Sequence, residues 1–500
     1  VIISKSDYMA YLRHPAWIWV LKHKKEWIPP VDPATQAMFD AGNEFEQYAE
    51  ARFSDITKLW SGDFKEYDSL TARTEEAIKS GAKVLSQARF EKDGFACICD
   101  LVVVVGDHEV DLVEIKSSTG VKDEHIYDLA FQTVVLESCG YKVRNISVVF
   151  VNNKYVRDGE IDIDAYTVQE DVTERVKAKL EETEHQMVGA KLAANVVDPP
   201  DVNPRHCQLG SLQDWLPIYR NIDYLPLDHI FSKDPEYSIL DLQRINVKMI
   251  GDFTDMEIEM LADIPDDYKL SEKQRLQVIA TRDDTPIISK EKIKEFLDEL
   301  KFPLYFLDYE TLADVVPVFD GTRPYQQVPC QYSLHILRTP DGELEHIEYL
   351  HQEKSNPSRP LAEQLVRDLG ESGDIIVWNQ GFEMSRNREL GEMMPEHAER
   401  MKAINDRVVD LMTPFSRGWY VDKRFKGSAS IKKVLLVIVP ELSYAVLDIN
   451  NGGDAQRMWM ETVLEGKHDK EKVIYDLLKY CELDTLAMVE IYKKLKEISL

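Results

Sequence analysis

Paired thiols are missing from this sequence. Its six cysteines include no Cys-x-x-Cys pair, which gives neither a disulfide framework nor a zinc knuckle and points to a reducing compartment, the cytoplasm. Long apolar runs are missing too: the longest purely aliphatic one, Val434 to Val439, falls far short of the roughly 20 residues that a membrane span needs. The first residues show no basic region followed by an apolar core, so neither an export signal nor a membrane anchor is expected. Positive charge is scarce as well. With 60 Lys and Arg against 89 Asp and Glu, the formal charge is −29, which excludes a protein that coats nucleic acid through bulk electrostatics. A nuclease is not excluded, because metal-binding acids add negative charge and a local basic groove is enough to hold a strand. Lys22 to Lys25, and the run Lys423, Arg424, Lys426, Lys432 and Lys433, are the candidates for such a groove.

What is present is an ordinary globular balance, 44% hydrophobic and 30% charged over 500 residues, enough for roughly two to four domains. The most informative stretch is Leu304 to Thr311, Leu-Tyr-Phe-Leu-Asp-Tyr-Glu-Thr. In a strand, side chains alternate faces, so Asp308 and Glu310 leave on the same side. Two like charges at the end of an apolar run are costly unless a cation lies between them, and a divalent metal ion is the candidate. Near the C-terminus, Val473 to Ile491 has the spacing of an amphipathic helix and carries Tyr480 and Asp484 on one face. Between them, Ile375 to Trp378 is an apolar strand running through Asn379 into a helix start that offers Glu383.

These three segments resemble the DnaQ-like, or DEDDy, 3'→5' exonucleases: Asp-x-Glu on the first strand, an acid after a strand–Asn turn, and Tyr-x-x-x-Asp on the last helix. The resemblance implies an RNase H-like mixed sheet over residues 298–500, in the order strand 304–310, strand 331–337, strand 344–350, helix 361–369, strand 374–378, then helices. It implies that Asp308, Glu310, Glu383 and Asp484 hold two Mg²⁺ or Mn²⁺ ions about 4 Å apart, with Tyr480 orienting or deprotonating the attacking water. Glu383 stands where the wider family has aspartate, and Asp410 is expected in a supporting role. The stretches 309–331, 428–435 and 450–454 also resemble an uncharacterised family fused behind RecB-like nuclease domains.

The N-terminal part opens with helices to about residue 60, and its Trp17, Trp19 and Trp27 are expected in the core. From Phe95 the pattern changes to strands: 98–105 and 110–115 flank Gly106-Asp-His, a hairpin turn. Asp100 lies early in the first strand, Glu114 and Lys116 share a face of the second, and a helix from about Glu124 to Cys139 supplies Gln132. This arrangement resembles the PD-(D/E)XK fold of RecB-like nucleases related to the CRISPR-adaptation nucleases. The resemblance implies that Asp100, Glu114 and Glu46 hold one or two cations and that Lys116, with Gln132, assists the attacking water. Glu46 stands where the family has histidine, and Leu136 where it has tyrosine. Many such relatives hold an iron–sulfur cluster on four cysteines; His14 and the lone Cys207 at the matching segments predict that none is bound here.

Residues 165–195 are read as one charged helical stretch, the prolines of 196–204 as a boundary, and 207–297 as a mostly helical connector. The expected organisation is therefore α/β: a PD-(D/E)XK restriction-endonuclease-like domain at 1–195, a helical connector at 196–297, and an RNase H-like domain at 298–500. The expected activity is metal-dependent cleavage of phosphodiester bonds, with nucleic acid as the partner, DNA before RNA, and a place in DNA repair, CRISPR adaptation or anti-phage complexes. An RNA-processing exoribonuclease and a nucleic-acid-binding scaffold with vestigial sites are the alternatives.

Overall fold

The computed structural model describes residues 1–222, 235–444 and 447–500. The chain divides into two compact units, Val1–Lys233 with Asn246–Gly251, and Asp234–Ile245 with Asp252–Leu500. Both are mixed α/β, as expected. Among the described residues no helix is long and apolar enough to cross a membrane.

The first unit is built on a sheet of seven strands: β1 (Ile3–Ser4), β2 (Ile56–Lys58), β3 (Val84–Lys92), β4 (Phe95–Gly106), β5 (Glu109–Lys116), β6 (Lys142–Val151) and β7 (Thr167–Asp171). Its order is β2-β3-β4-β5-β6-β7, with β1 alongside β4. The β4–β5 hairpin closes where expected, with His108 at φ 57°. The β5 to β6 step is parallel and so needs a crossover, which the helix Asp123–Ser138 provides. That helix buries Ile126, Leu129, Phe131, Val135 and Leu136 in the core, and Asp128 and Gln132 with them.

Two expectations change here. The stretch 165–195 is not one helix: β7 pairs with β6 before a helix forms over Leu180–Asn195. Pairing with a sheet edge supplies backbone hydrogen bonds that outweigh a modest helical propensity. Residues 196–222 do not stand apart as a connector. Trp215, within them, is fully buried, stacks on His14 at 4.0 Å and lies 5.7 Å from Trp17. The rest of the connector, 235–297, consists of short helices such as Glu272–Arg282 and Lys290–Asp298, while its residues 223–234 lie outside the described residues.

The second unit carries a five-stranded sheet of β9 (Leu304–Leu312), β10 (Val328–Leu337), β11 (Leu344–Leu350), β12 (Ile375–Val377) and β13 (Val408–Asp410), besides a small pair of β8 (Ile287–Ile288) and β14 (Tyr420–Val421). Its order is β11-β10-β9-β12-β13. The first three strands are antiparallel, and β12 and β13 run parallel to β9. β9 is buried on both faces. Leu304 and Phe306 enter one core with the C-terminal helix Lys470–Ser499, and Tyr305, Leu307 and Tyr309 enter the other. A central strand covered on both sides reads as a continuous apolar run, which is why the acids at its end stand out.

Candidate metal centre and a second acidic site

β9 delivers Asp308 and Glu310 to the face covered by the C-terminal helix, beside Ser333 and Gln331 of β10. Gln331 donates to the Leu477 carbonyl at 2.9 Å, tying that helix to the sheet one turn before Tyr480. The helix then brings Asp484 to the strand: one carboxylate oxygen from each of Asp308, Glu310 and Asp484 lies within 4.8 Å of the others. These acids, with Tyr480, Trp378 and Lys432, line an open cleft of about 190 Å³.

Its electrostatics are those of a site short of positive charge. Burial, then Asp484, Glu310 and Glu383, push Asp308 well above the ordinary carboxylate range. Burial and Asp484 raise Glu310 to about 8, against the pull of Lys432. Asp484 is raised to about 6 by burial, although the Tyr444 hydroxyl donates to it at 2.6 Å. Burial and these carboxylates push the Tyr480 hydroxyl far up as well. With its hydroxyl held protonated, Tyr480 is therefore a donor and not a base.

Glu383 sits on the helix Gln380–Met393, entered through Asn379 at φ 77°. Asp410 accepts from the backbone N–H groups of Asn379 and Gln380 at 3.1 and 3.3 Å, which satisfies donors that a helix start leaves open. Asp410 thus braces the entry to that helix. Glu383 is outside the three-acid group but is felt by Asp308; burial raises it to about 8, and its buried Oε2 has no hydrogen-bond partner. An all-oxygen set of raised carboxylates with one orphaned oxygen fits Mg²⁺ or Mn²⁺.

The basic run is only partly at this cleft. Lys432 lies 5.1 Å over the Tyr444 ring and 5.4 Å over Tyr480, and Lys433 is exposed. Lys423 pairs with Asp284 at 2.6 Å, Arg424 with Asp422, and Lys426 with Asp241 at 3.6 Å. Three of the five expected groove residues are thus neutralised, Arg424 by its near neighbour Asp422 and the other two by acids far away in the sequence.

In the first unit the structure gathers Asp100, Glu114, Lys116 and Gln132 around one carboxylate. Glu114 is fully buried; its Oε1 meets Lys116 at 2.6 Å and Lys5 at 2.9 Å, and its Oε2 accepts from Gln132 at 2.7 Å. Asp128 accepts from Lys116 at 3.0 Å and from Gln132 at 2.8 Å. Burial alone would raise Glu114, but the two lysines hold it far below the usual range. Asp100 accepts from the Ile115 N–H at 2.8 Å, and burial with Glu114 raises it to about 7. Glu46 accepts from Gln87 at 2.5 Å, and burial raises it too. The expected cation ligands Asp100, Glu114 and Glu46 do not converge as the C-terminal acids do: among the described residues they form no group of three ligand atoms within 4.8 Å. Both oxygens of Glu114 are taken by side-chain donors, so this donor set does not fit a cation as it stands.

Lys5, Asp128 and Tyr444 are members of these sites that sequence reasoning misses. Asp128 had a signal, one helical turn before Gln132 on the same face. Lys5 and Tyr444 had none, since only the fold brings them across the chain. His14 is a satisfied core residue: its Nε2 lies 2.9 Å from the Asn203 carbonyl, and its Nδ1 accepts from the Ala16 N–H.

Together these observations define a mixed α/β protein with a cation-type acidic cleft in one unit and a lysine-clamped acidic site in the other. A profile described as a domain of unknown function (DUF2779) matches residues 305–430, a stretch that holds Asp308, Glu310 and Glu383 but not Tyr480 or Asp484. The uncharacterized protein MG366 of Mycoplasma genitalium is 27% identical over 222 residues, 40% of this chain and 33% of that protein. Its homolog in Mycoplasma pneumoniae is 25% identical over 250 residues, 44% and 36% of the two chains, and the uncharacterized protein UU173 of Ureaplasma parvum is 24% identical over 226 residues, 40% and 32%. The match spans about a third of the length of each of these relatives.

Proposed function

We propose that the C-terminal unit is a metal-dependent 3'→5' exonuclease acting on single-stranded DNA ends. The observation that carries this reading is the convergence of Asp308, Glu310 and Asp484 within 4.8 Å, with all three raised by burial and Asp308 and Glu310 raised further by their carboxylate neighbours. The strand order β11-β10-β9-β12-β13, with the first acids on the central strand, is the order expected of an RNase H-like sheet and supports it. Two bound Mg²⁺ or Mn²⁺ ions would activate water and neutralise charge on the phosphate and the leaving oxygen. Asp308, Glu310, Asp484 and Glu383 would hold the two ions. Tyr444 fixes the Asp484 carboxylate. Tyr480 orients the attacking water by hydrogen bonding, while Lys432 at the cleft lip meets the incoming phosphate.

In this reading the first unit is the RecB-like PD-(D/E)XK nuclease domain, and the protein works in DNA repair, CRISPR adaptation or anti-phage defence. The clamp on Glu114 favours a second reading for that unit alone, a nucleic-acid-binding scaffold with a silent site, and no chemical step is derived there. The test is end-labelled single-stranded DNA and RNA of one sequence with Mn²⁺, for wild type, Asp308→Ala, Lys116→Ala and the double variant. Shortening of DNA 3' ends that Asp308→Ala alone abolishes supports the proposal. Preferential trimming of RNA turns the reading to an exoribonuclease. Activity that follows Lys116 moves it to the first unit, and no cleavage of either polymer ends it.

A further inference from the structure

β10 is buried along its whole length, yet its face toward the C-terminal helix carries a polar row, Gln331, Ser333 and His335. Gln331 is explained by its bond to the helix backbone. His335 and Ser333 are not explained by the acidic cleft. They lead instead to the opposite flank of the helix, where His335 stands directly across the strand pair from His346 of β11, their rings stacked at 4.4 Å. Glu482 faces them from the helix, two residues before Asp484 and therefore about 200° around its axis, on another side.

We propose that His335, His346 and Glu482 form a second cation site, taking a transition ion of the Zn²⁺ type and separate from the acidic cleft. One ligand atom from each of the three lies within 4.8 Å of the others. The outer hydrogen bonds are those a histidine metal site requires. His335 Nδ1 is 2.8 Å from the Thr485 hydroxyl, His346 Nε2 is 2.9 Å from the Ser333 hydroxyl, and the two hydroxyls are 2.7 Å apart. This network anchors one nitrogen of each ring; the ring planes lie 24° apart, so the two free nitrogens meet on one ion once the His346 ring turns out of the stack. Those free nitrogens are His335 Nε2, and His346 Nδ1, which lies 3.9 Å from Glu482 Oε1. Such anchoring of the non-ligating nitrogen sets tautomer and ring orientation. Lys479 holds the other oxygen, Oε2, at 2.5 Å, so one carboxylate oxygen stays available to an ion. Two imidazoles and a carboxylate are borderline ligands that suit Zn²⁺, whereas the all-oxygen cleft suits Mg²⁺ or Mn²⁺. Three protein ligands leave a fourth position for water. The ion would clip the C-terminal helix to the edge of the sheet, whether or not the cleft on its far side cleaves anything.

The full-length chain, stripped with chelator, is titrated with Zn²⁺ and, separately, Co²⁺. Bound metal is counted after gel filtration, and the visible Co²⁺ spectrum reports nitrogen ligation. Wild type and Asp308→Ala are expected to hold one tight Zn²⁺ per chain and to show the same Co²⁺ bands. His335→Ala, His346→Gln and Glu482→Gln are expected to lose both. His346 lies on the edge strand with its side chain 24% accessible, outside the hydrophobic core, so His346→Gln keeps the test decisive if His335→Ala does not fold. Retention of the ion and its spectrum in His346→Gln, or loss of all Zn²⁺ uptake in Asp308→Ala, overturns the proposal.

Discussion

The Tyr444 hydroxyl donates a 2.6 Å hydrogen bond to Asp484 Oδ1, and it is among the influences that hold that carboxylate at about 6 when burial drives it higher. A donor that steadies the charged form of a cation ligand raises affinity for the cation. Tyr444→Phe is expected to raise the Mn²⁺ concentration needed for half-maximal cleavage about 10-fold to 100-fold with the fold retained. Tyr480→Phe is expected to lower kcat more than it raises the Mn²⁺ requirement, because its hydroxyl is assigned to the water and is the weaker of the two donors that steady Asp484. Metal titration of cleavage for both variants separates the roles; equal effects on kcat would undo the assignment.

The three clustered acids also predict a response to metal that needs no substrate. Without a cation they repel one another in a buried setting, so in chelator Asp308→Asn is expected to melt above wild type. The gain is on the order of 1 kcal/mol, roughly 2–4 °C for a unit of this size. Mn²⁺ at about 100 times its dissociation constant adds about 2.7 kcal/mol to whatever binds it. Wild type is therefore expected to gain roughly 5–10 °C, and Asp308→Asn little. Thermal melts with and without Mn²⁺ decide it, and a wild type indifferent to the ion would speak against a cation site.

How much of this was legible in the sequence depends on the range of the interaction. Period-two alternation is local, so Asp308 and Glu310 sharing a face, and Glu114 beside Lys116, could be read directly. The β4–β5 hairpin followed from Gly106-Asp-His for the same reason. β7 could not, because it exists through pairing with β6, and residues 167–171 alone carry no strong signal. Lys5 reaches Glu114 across 109 positions and Tyr444 reaches Asp484 across 40; no spacing rule covers either. The basic run fails differently. Charge is visible in a sequence, and Asp422 stands beside the run, but Asp284 and Asp241, which pair with Lys423 and Lys426, are acids like any others until the fold brings them near.

Two lysines on one buried carboxylate make a redundant clamp, and redundancy has a signature in double variants. Lys5→Ala leaves Lys116 on Glu114, and Lys116→Ala leaves Lys5, so each alone is expected to cost about 1 kcal/mol. Together they strand a fully buried charge, which costs about 3–5 kcal/mol. Urea unfolding of the two single variants and the double is expected to show a strongly non-additive loss. Additive, small losses would mean that water reaches Glu114 and that the clamp is not what keeps it ionised.

His14 gives a pH dependence with a definite sign. Burial holds it at about 4, below the ordinary histidine value of 6.5, and its Nδ1 must stay unprotonated to accept from the Ala16 N–H at the start of the helix Pro15–His23. A group whose pKa is lower in the folded chain binds its proton first in the unfolded one. The stability it contributes is therefore complete above pH 6.5 and is lost as the pH falls through about 4. The lowered value corresponds to about 3 kcal/mol over that window. Asparagine keeps an acceptor at the helix start but cannot titrate, so His14→Asn is expected to be less stable than wild type at pH 7 yet to lose less on acidification. Unfolding free energies at pH 7, 5.5 and 4 measure both slopes. Other lowered histidines, such as His125 at about 4, act in both chains and cancel in the difference, so parallel slopes would show that His14 is not buried as a neutral cap.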